Sequence, residues 1–448
     1  MKSLIIALAF FMLPSIAVTA GATENAASTT TESTAGNGTG NDKKQSKIQK
    51  VMSRFSIGGY GEAVYTRNFY SDNVYRYSKP ETYKNDPSHG RFDIPHAVIY
   101  LSYDFGKGWK MSSEIEFEHA GTGQTVEQEY EEAGEWEREV ERGGEVELEQ
   151  FWIEKSFMPQ LNVRAGHIIV PVGLTNAHHE PLNFFSVYRS EGEATILPCT
   201  WHETGISIWG RAGDWRYEAQ LLAALDAFQF SRDNWVQGGS GSPFEFKVAN
   251  KYGVAGRIDN YSVKGLRMGL SGYYAHTMNN SFPNDLRRYD NVKGAVAIGA
   301  FDFTYDDHNV IVRGNADYGY LGNAATISTI KRNLTSNNAP FQKTEVGKNA
   351  FSIGLEAGYD IFAHIAKLHA DKQKFYVFGR YDFYDSYASG QKESIYEFTK
   401  KIRVAAGINY HPIPQIVIKG EFAQRFLKSA YNNEPSVSIG IAYQGFFN

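Results

Sequence analysis

One cysteine, Cys199, occurs in 448 residues, and that scarcity removes two classes of protein at once. An internal disulfide framework and a cysteine-built zinc site both need several thiols. Proline is also sparse, at 14 residues, which excludes proline-rich and collagen-like chains. Beyond residue 20 no stretch approaches 18 consecutive apolar residues, so membrane-spanning helices are excluded. The formal net charge of −5 argues against nucleic acid as a partner. No Gly-x-Ser-x-Gly elbow and no His-Glu-x-x-His helix occurs, and no catalytic residues are assigned. The pair His178-His179 with Glu180 invites a metal reading, but adjacent histidines do not share a strand face. No cofactor and no metal are expected.

What the chain has in quantity is aromatic side chains, 14% of residues, together with 43 glycines. Its start is equally distinctive. Lys2 precedes the apolar run Leu4–Leu13, and small residues follow as far as Val18-Thr19-Ala20. Residues 1–20 therefore read as a secretory signal peptide, cut after Ala20 or Ala22, with no cysteine placed for lipid attachment. Residues 21–50, rich in Ala, Ser, Thr, Gly and Asn and then in Lys, read as a flexible linker. The folded unit is 51–448, and the mature net charge is −6.

From there on, apolar and polar residues alternate with a period of two. Phe351, Ile353, Leu355, Ala357, Tyr359 and Ile361 share one face; Ser352, Gly354, Glu356, Gly358 and Asp360 share the other. Trp109, Met111, Ile115 and Phe117 likewise oppose Lys110, Glu114, Glu116 and Glu118. Such segments are strands with one greasy and one wet face. They fall near 55–66, 91–105, 109–119, 145–157, 161–170, 202–209, 214–224, 252–259, 265–276, 292–305, 308–320, 350–361, 374–385, 401–410, 415–426 and 435–447, sixteen in all. An even count of strands of about 9–12 residues is what a transmembrane antiparallel β-barrel needs. Lipid offers backbone groups no hydrogen-bond partner, so a chain without spanning helices must cross as a closed sheet.

The connections support this independently. Long segments (67–90, 120–144, 171–201, 225–251, 277–291, 321–349, 386–400) alternate with short ones (106–108, 158–160, 210–213, 260–264, 306–307, 411–414). Only 362–373 is long for its place. Outer-membrane barrels pair long external loops with short periplasmic turns, so the expected location is the outer membrane, among lipid and lipopolysaccharide.

The segment Leu161–Leu174, followed by His179-Glu-Pro-Leu-Asn-Phe-Phe185 and Leu197-Pro-Cys-Thr-Trp-His-Glu-Thr-Gly205, resembles the phosphate-selective porin family in its Bacteroidetes form. As motif the resemblance covers 161–210; as architecture it covers most of 51–448. It implies a sixteen-stranded, homotrimeric, water-filled porin whose third long loop folds into the lumen as a constriction. Selectivity for phosphate is implied through inward Arg and Lys side chains.

Charge placement sharpens that expectation. The stretch 127–149 holds eleven Glu and two Arg, and the rest of the mature chain is net +3. The acidic stretch reads as a solvated external loop, with divalent-cation capture as its functional alternative. On the polar strand faces Lys110, Arg216, Arg257, Arg267, Arg313, Arg380, Arg403, Lys419 and Arg425 are expected to line the pore, among Glu116, Glu218, Asp259, Glu356, Asp382 and Glu421. Either these charges pair and brace the wall, or some Arg stay free and make a positive track. Arg164 and Arg189, with Glu180, Glu191 and Glu193, are the candidate constriction residues. The reading is a passive channel for small hydrophilic solutes, with phosphate or other anions favoured. The alternatives are a surface-exposed binding or adhesive barrel with a blocked lumen and, last, a barrel hydrolase.

Overall fold

Side chains that alternate between unlike environments commit each strand to a sheet with two different faces. In the computed structural model of the protein, that sheet closes on itself. The structure describes residues 51–446 except 120–123, 131–135, 143–144, 242–246, 281–288, 290, 335–343 and 391–395, with backbone alone at 74, 124–130, 136–142, 145, 333 and 334. The expected signal peptide, 1–20, and the expected linker, 21–50, lie outside the described residues.

The strands are β1 (Phe55–Asn68), β2 (His89–Asp93), β3 (His96–Gly106), β4 (Trp109–Glu118), β5 (Gln124–Tyr130), β6 (Trp136–Arg142), β7 (Glu145–Met158), β8 (Leu161–Ile169), β9 (His202–Ala212) and β10 (Trp215–Ala223). They continue as β11 (Tyr252–Val263), β12 (Leu266–His276), β13 (Ala295–Asp307), β14 (Val310–Leu321), β15 (Asn349–Asp360), β16 (Lys374–Ala388), β17 (Lys400–Ile413), β18 (Ile416–Phe426) and β19 (Glu434–Phe446). The wall is an antiparallel, sixteen-stranded ring of β1, β3, β4 and β7 to β19. β1 closes it: Gly59 stands opposite Gly445 of β19 on one side and Ile99 of β3 on the other.

Every expected strand is present, with two corrections. The strand expected over 91–105 is two segments, β2 and β3, broken at Ile94-Pro95. Proline has no N–H for the ladder, so β1 pairs with β2 over Val64–Asn68 and with β3 over Phe55–Gly61. The acidic stretch is not a plain loop either: β5 and β6 pair as a two-stranded ribbon apart from the barrel sheet. The side chains of that ribbon lie outside the described residues.

Two residues separate the wall strands at 107–108, 159–160, 213–214, 264–265, 308–309 and 414–415. At His308-Asn309 both φ angles are positive, 54° and 63°, the twist a two-residue hairpin requires. The long turn 361–373 instead holds a 3-10 turn (Ile361–His364) and a short helix (Ala366–Ala370).

Burial is inverted relative to a water-soluble protein. In β15, Ile353, Leu355 and Tyr359 are exposed while Ser352, Glu356 and Asp360 are buried. The same holds round the ring: Leu270, Ile439 and Ile441 face out, whereas Glu114, Arg257, Asp302, Arg380 and Lys419 face in. Exposed Phe105, Trp109, Phe157, Trp215 and Tyr261 sit beside the two-residue turns, as an interfacial aromatic girdle requires. The apolar core is built largely from long loops drawn into the barrel, with Trp201, Leu225, Phe230, Trp235, Met278, Leu321, Ile327 and Val346 packed together. Trp235 anchors it through an indole N–H donated to the Gly347 carbonyl, 3.1 Å away.

Candidate functional site

The connection from β8 to β9, residues 170–201, folds into the lumen as expected of the third long loop. It leaves the wall through Gly173, whose φ of +83° suits glycine; a Cβ there would lie 1.8 Å from Glu193 Oε1. Asn176–His178 and Pro181–Asn183 form 3-10 turns, and Glu191–Ile196 makes a short helix.

The wall strands hold this loop mainly through charged side chains gripping its backbone. Lys419 Nζ donates to the carbonyls of Phe184 and Ser186, each at 2.9 Å. The Phe185 and Val187 amides donate to Glu356 Oε2 at 3.3 Å and to Glu421 Oε2 at 3.2 Å. Arg257 donates to the Gly173 carbonyl at 2.8 Å, and Arg380 to Ser190 Oγ at 2.5 Å. Phe185 stacks on Phe378, ring centroids 5.5 Å apart.

Most of the cations expected to line the pore are paired. Arg257 and Arg267 share Asp259 and Asp302; Arg313 and Arg380 grip the two oxygens of Glu356, each within 2.8 Å. Arg380 also reaches Asp382, Arg403 bonds Glu421, and Arg216 bonds Glu218. Arg425 meets Glu191 at 2.7 Å and Glu434 at 3.3 Å. Lys110 is exposed near the 107–108 turn. The face is thus chiefly a lattice of ion pairs that seats the loop.

The five candidate constriction residues do not form one cluster. Arg164 lies near the two-residue turns, bonded to Glu154 at 2.8 Å with its guanidinium 4.1 Å from the Trp152 ring centre. Arg189 sits in the loop and donates to the His179 carbonyl, Thr200 Oγ1 and Tyr60 Oη at 3.2–3.3 Å. Burial works against its charge, but the Tyr60 hydroxyl and the Glu116 and Glu149 carboxylates raise its pKa further. Glu180 accepts from Asn183 Nδ2 at 2.6 Å. Glu191 meets Arg425 and Arg403, and accepts from the Tyr384 hydroxyl. Burial penalises its ionisation, but the two guanidinium groups overcome that and hold its pKa at about 2. Glu193 is bonded by the amide and hydroxyl of Thr175, yet burial raises it to about 7. Burial also pushes the Cys199 thiol up to about 11, so it stays protonated at neutral pH.

The loop has a cavity on each side. On the side of the long loops, about 640 Å³ is lined by Arg76, Arg91, Arg189, Lys401, Arg403 and Arg425 against Glu62, Asp233, Glu191, Glu421 and Glu434. On the side of the two-residue turns, about 430 Å³ is lined by His178, Lys264, Arg267, Arg313 and Arg380 with Asp306 and Glu356. Arg76, Arg91 and Lys401 on the long-loop side, and Lys264 on the other, are cations the sequence reading missed. Lys401 had a signal, since it shares the parity of Arg403; Arg91 was obscured by the broken strand.

Also missed was a cluster on the opposite wall. Glu114, Glu149 and His179 are buried together, and Glu62 Oε1 lies 2.6 Å from His96 Nδ1. A bulge explains why: β4 pairs Glu114 with Gln150 and the next residue, Ile115, with Leu148, leaving Glu149 as the extra residue.

No family model matches the chain. A protein of Aquifex aeolicus, described as uncharacterized, is 29% identical over 400 residues, covering 87% of this chain and 80% of its own. Among solved structures, the outer membrane channel DcaP of Acinetobacter baumannii superposes with a TM-score of 0.50 at 9% identity, over 87% of this chain and 97% of that one. OprB of Pseudomonas putida gives 0.50 at 11% identity, over 90% and 97%. The chain is an outer-membrane β-barrel with a porin fold. These likenesses concern the fold; the chemistry of the lumen is this chain's own.

Proposed function

We propose that the barrel is a passive channel for small hydrophilic solutes, weighted toward small anions such as phosphate. The observation that carries this reading is the pair Arg91 and Lys401 in the long-loop cavity. Among the described residues neither has a carboxylate within ion-pair distance; they lie instead near the Tyr188 and Tyr77 rings, at 5.6 and 5.5 Å. A low-dielectric wall focuses the field of such cations onto a passing ion, and a guanidinium forks onto phosphate oxygens. The family resemblance of 161–210 points the same way, and with it goes a homotrimer. Planar-bilayer recording tests the reading: steady conductance steps, an anion-selective reversal potential in asymmetric KCl, and block by added phosphate are expected. Arg91→Gln with Lys401→Gln should move the reversal potential toward cations; an unmoved potential removes the pair from the selectivity filter.

A second reading rests on the same loop. Because residues 170–201 stand between the two cavities and are tied to the wall on several strands, a blocked barrel that binds at its surface predicts no conductance at all.

A further inference from the structure

Three side chains from β4, β7 and the lumen loop converge away from the cation-lined cavity. Glu114, Glu149 and His179 each offer one ligand atom, and these atoms lie within 4.8 Å of one another. His179 Nε2 is 3.4 Å from Glu114 Oε1 and 4.0 Å from Glu149 Oε2. A tetrahedral ion with bonds of about 2.0–2.1 Å has ligand-to-ligand edges of roughly 3.3 Å; of the three edges, His179 to Glu114 already has that length, His179 to Glu149 needs a small closure, and Glu114 to Glu149 starts from within 4.8 Å.

The groups behind these ligands are set for the task. His179 Nδ1 lies 3.1 Å from the Asn176 carbonyl. A carbonyl only accepts, so Nδ1 carries a proton and Nε2 is the atom turned toward the two carboxylates. Gln150 Nε2 donates to Glu114 Oε2, orienting that carboxylate. The independent sign of a missing ligand is Glu149 itself. It is 1% exposed, and neither of its oxygens has a hydrogen-bond partner. Leaving a buried carboxylate so poorly satisfied is costly, and a bulge in β7 is what puts it there. The neighbouring cation, Arg189, acts on Glu149 through its charge alone, since its N–H groups go to Tyr60, Thr200 and the His179 carbonyl.

We propose that Glu114, Glu149 and His179 bind one divalent metal ion of the zinc class, which ties the lumen loop to the β4–β7 wall. An imidazole beside carboxylates favours zinc over calcium, whose sites are built from oxygen. The proposal is independent of whether the barrel conducts.

The test uses the full-length protein in detergent, stripped with a chelator and titrated with Zn²⁺ by calorimetry at fixed neutral pH, with metal counted by emission spectroscopy. One bound Zn²⁺ per chain is expected, with Ca²⁺ failing to compete. Glu149→Gln and His179→Gln should each weaken it at least about ten-fold while the heat-modifiable barrel band persists. His179 lies in the loop rather than the wall, so its variant decides the matter if Glu149→Gln does not fold. A third variant lacking residues 124–142 should keep the site. Absence of bound Zn²⁺ in the wild type, leaving a protonated His179 as the link between the two carboxylates, overturns the proposal. Unchanged affinity in the folded ligand variants, or binding lost only with the acidic ribbon, overturns it too.

Discussion

Strands β11 to β18 face the lumen with Arg257, Arg267, Arg313, Arg380, Arg403, Lys419 and Arg425, whereas β1, β4 and β7 face it with Glu62, Glu114, Glu116 and Glu149. The lumen loop answers each side with the opposite charge. It turns Glu191 to Arg403 and Arg425, and Arg189 to the Tyr60 hydroxyl near Glu116 and Glu149. On the basic side nearly every cation has a carboxylate, and the spare donors hold loop carbonyls. On the acidic side the partners are neutral or histidine side chains, His96 for Glu62, Tyr60 for Glu116, Gln150 and His179 for Glu114, and Glu149 has none by hydrogen bond. The difference teaches that one side is built to seat the loop and the other retains unspent charge.

The largest effect should come from the basic side. Arg380→Met leaves buried Asp382 with Ser190 and an Arg403 3.9 Å away, and buried Glu356 with Arg313 alone as its cation, and should cost about 3–5 kcal/mol in urea unfolding followed by heat-modifiable migration. A loss under about 1 kcal/mol would mean that the lattice does not brace this wall. Lys419→Met removes the donor to two loop carbonyls and should cost about 1–3 kcal/mol, with noisier single-channel current as the loop loosens. Quiet current would show that the remaining contacts suffice.

Arg189→Gln and Arg164→Gln form a contrast. Neutralising Arg189 should move the reversal potential toward cations, while Arg164, held by Glu154 and Trp152, should leave it in place. Equal shifts would erase the distinction. The smallest effect is in pH. Because the Glu191 pKa is lowered to about 2 by its arginines, its stabilisation is fully present above about 4.5 and lost as pH falls toward 2. The gap in unfolding midpoint between wild type and Glu191→Gln should therefore be level from pH 7 to 5 and close below that; a level gap down to pH 2 contradicts it.

Strand positions were legible because a period of two is a local property, readable in a segment such as 351–361 without knowing its neighbours. The drawn-in third loop was legible only through resemblance. Where local rules broke, the reading failed: at Pro95, which splits one expected strand, and at Glu149, where an extra residue resets which side chains face inward. The partners of the polar face were out of reach, since Arg380 to Ser190 and Arg189 to Tyr60 join residues more than a hundred positions apart.

By itself, then, the sequence determined that the chain must close a sheet, oily side outward, since alternation and the lack of a long apolar helix leave backbone groups no other way to be satisfied in lipid. Only the tertiary structure decided which charges are spent and which are left over. That depends on distances between strands and a loop that meet only after the ring has closed, and on one bulge that turns a carboxylate into a buried site.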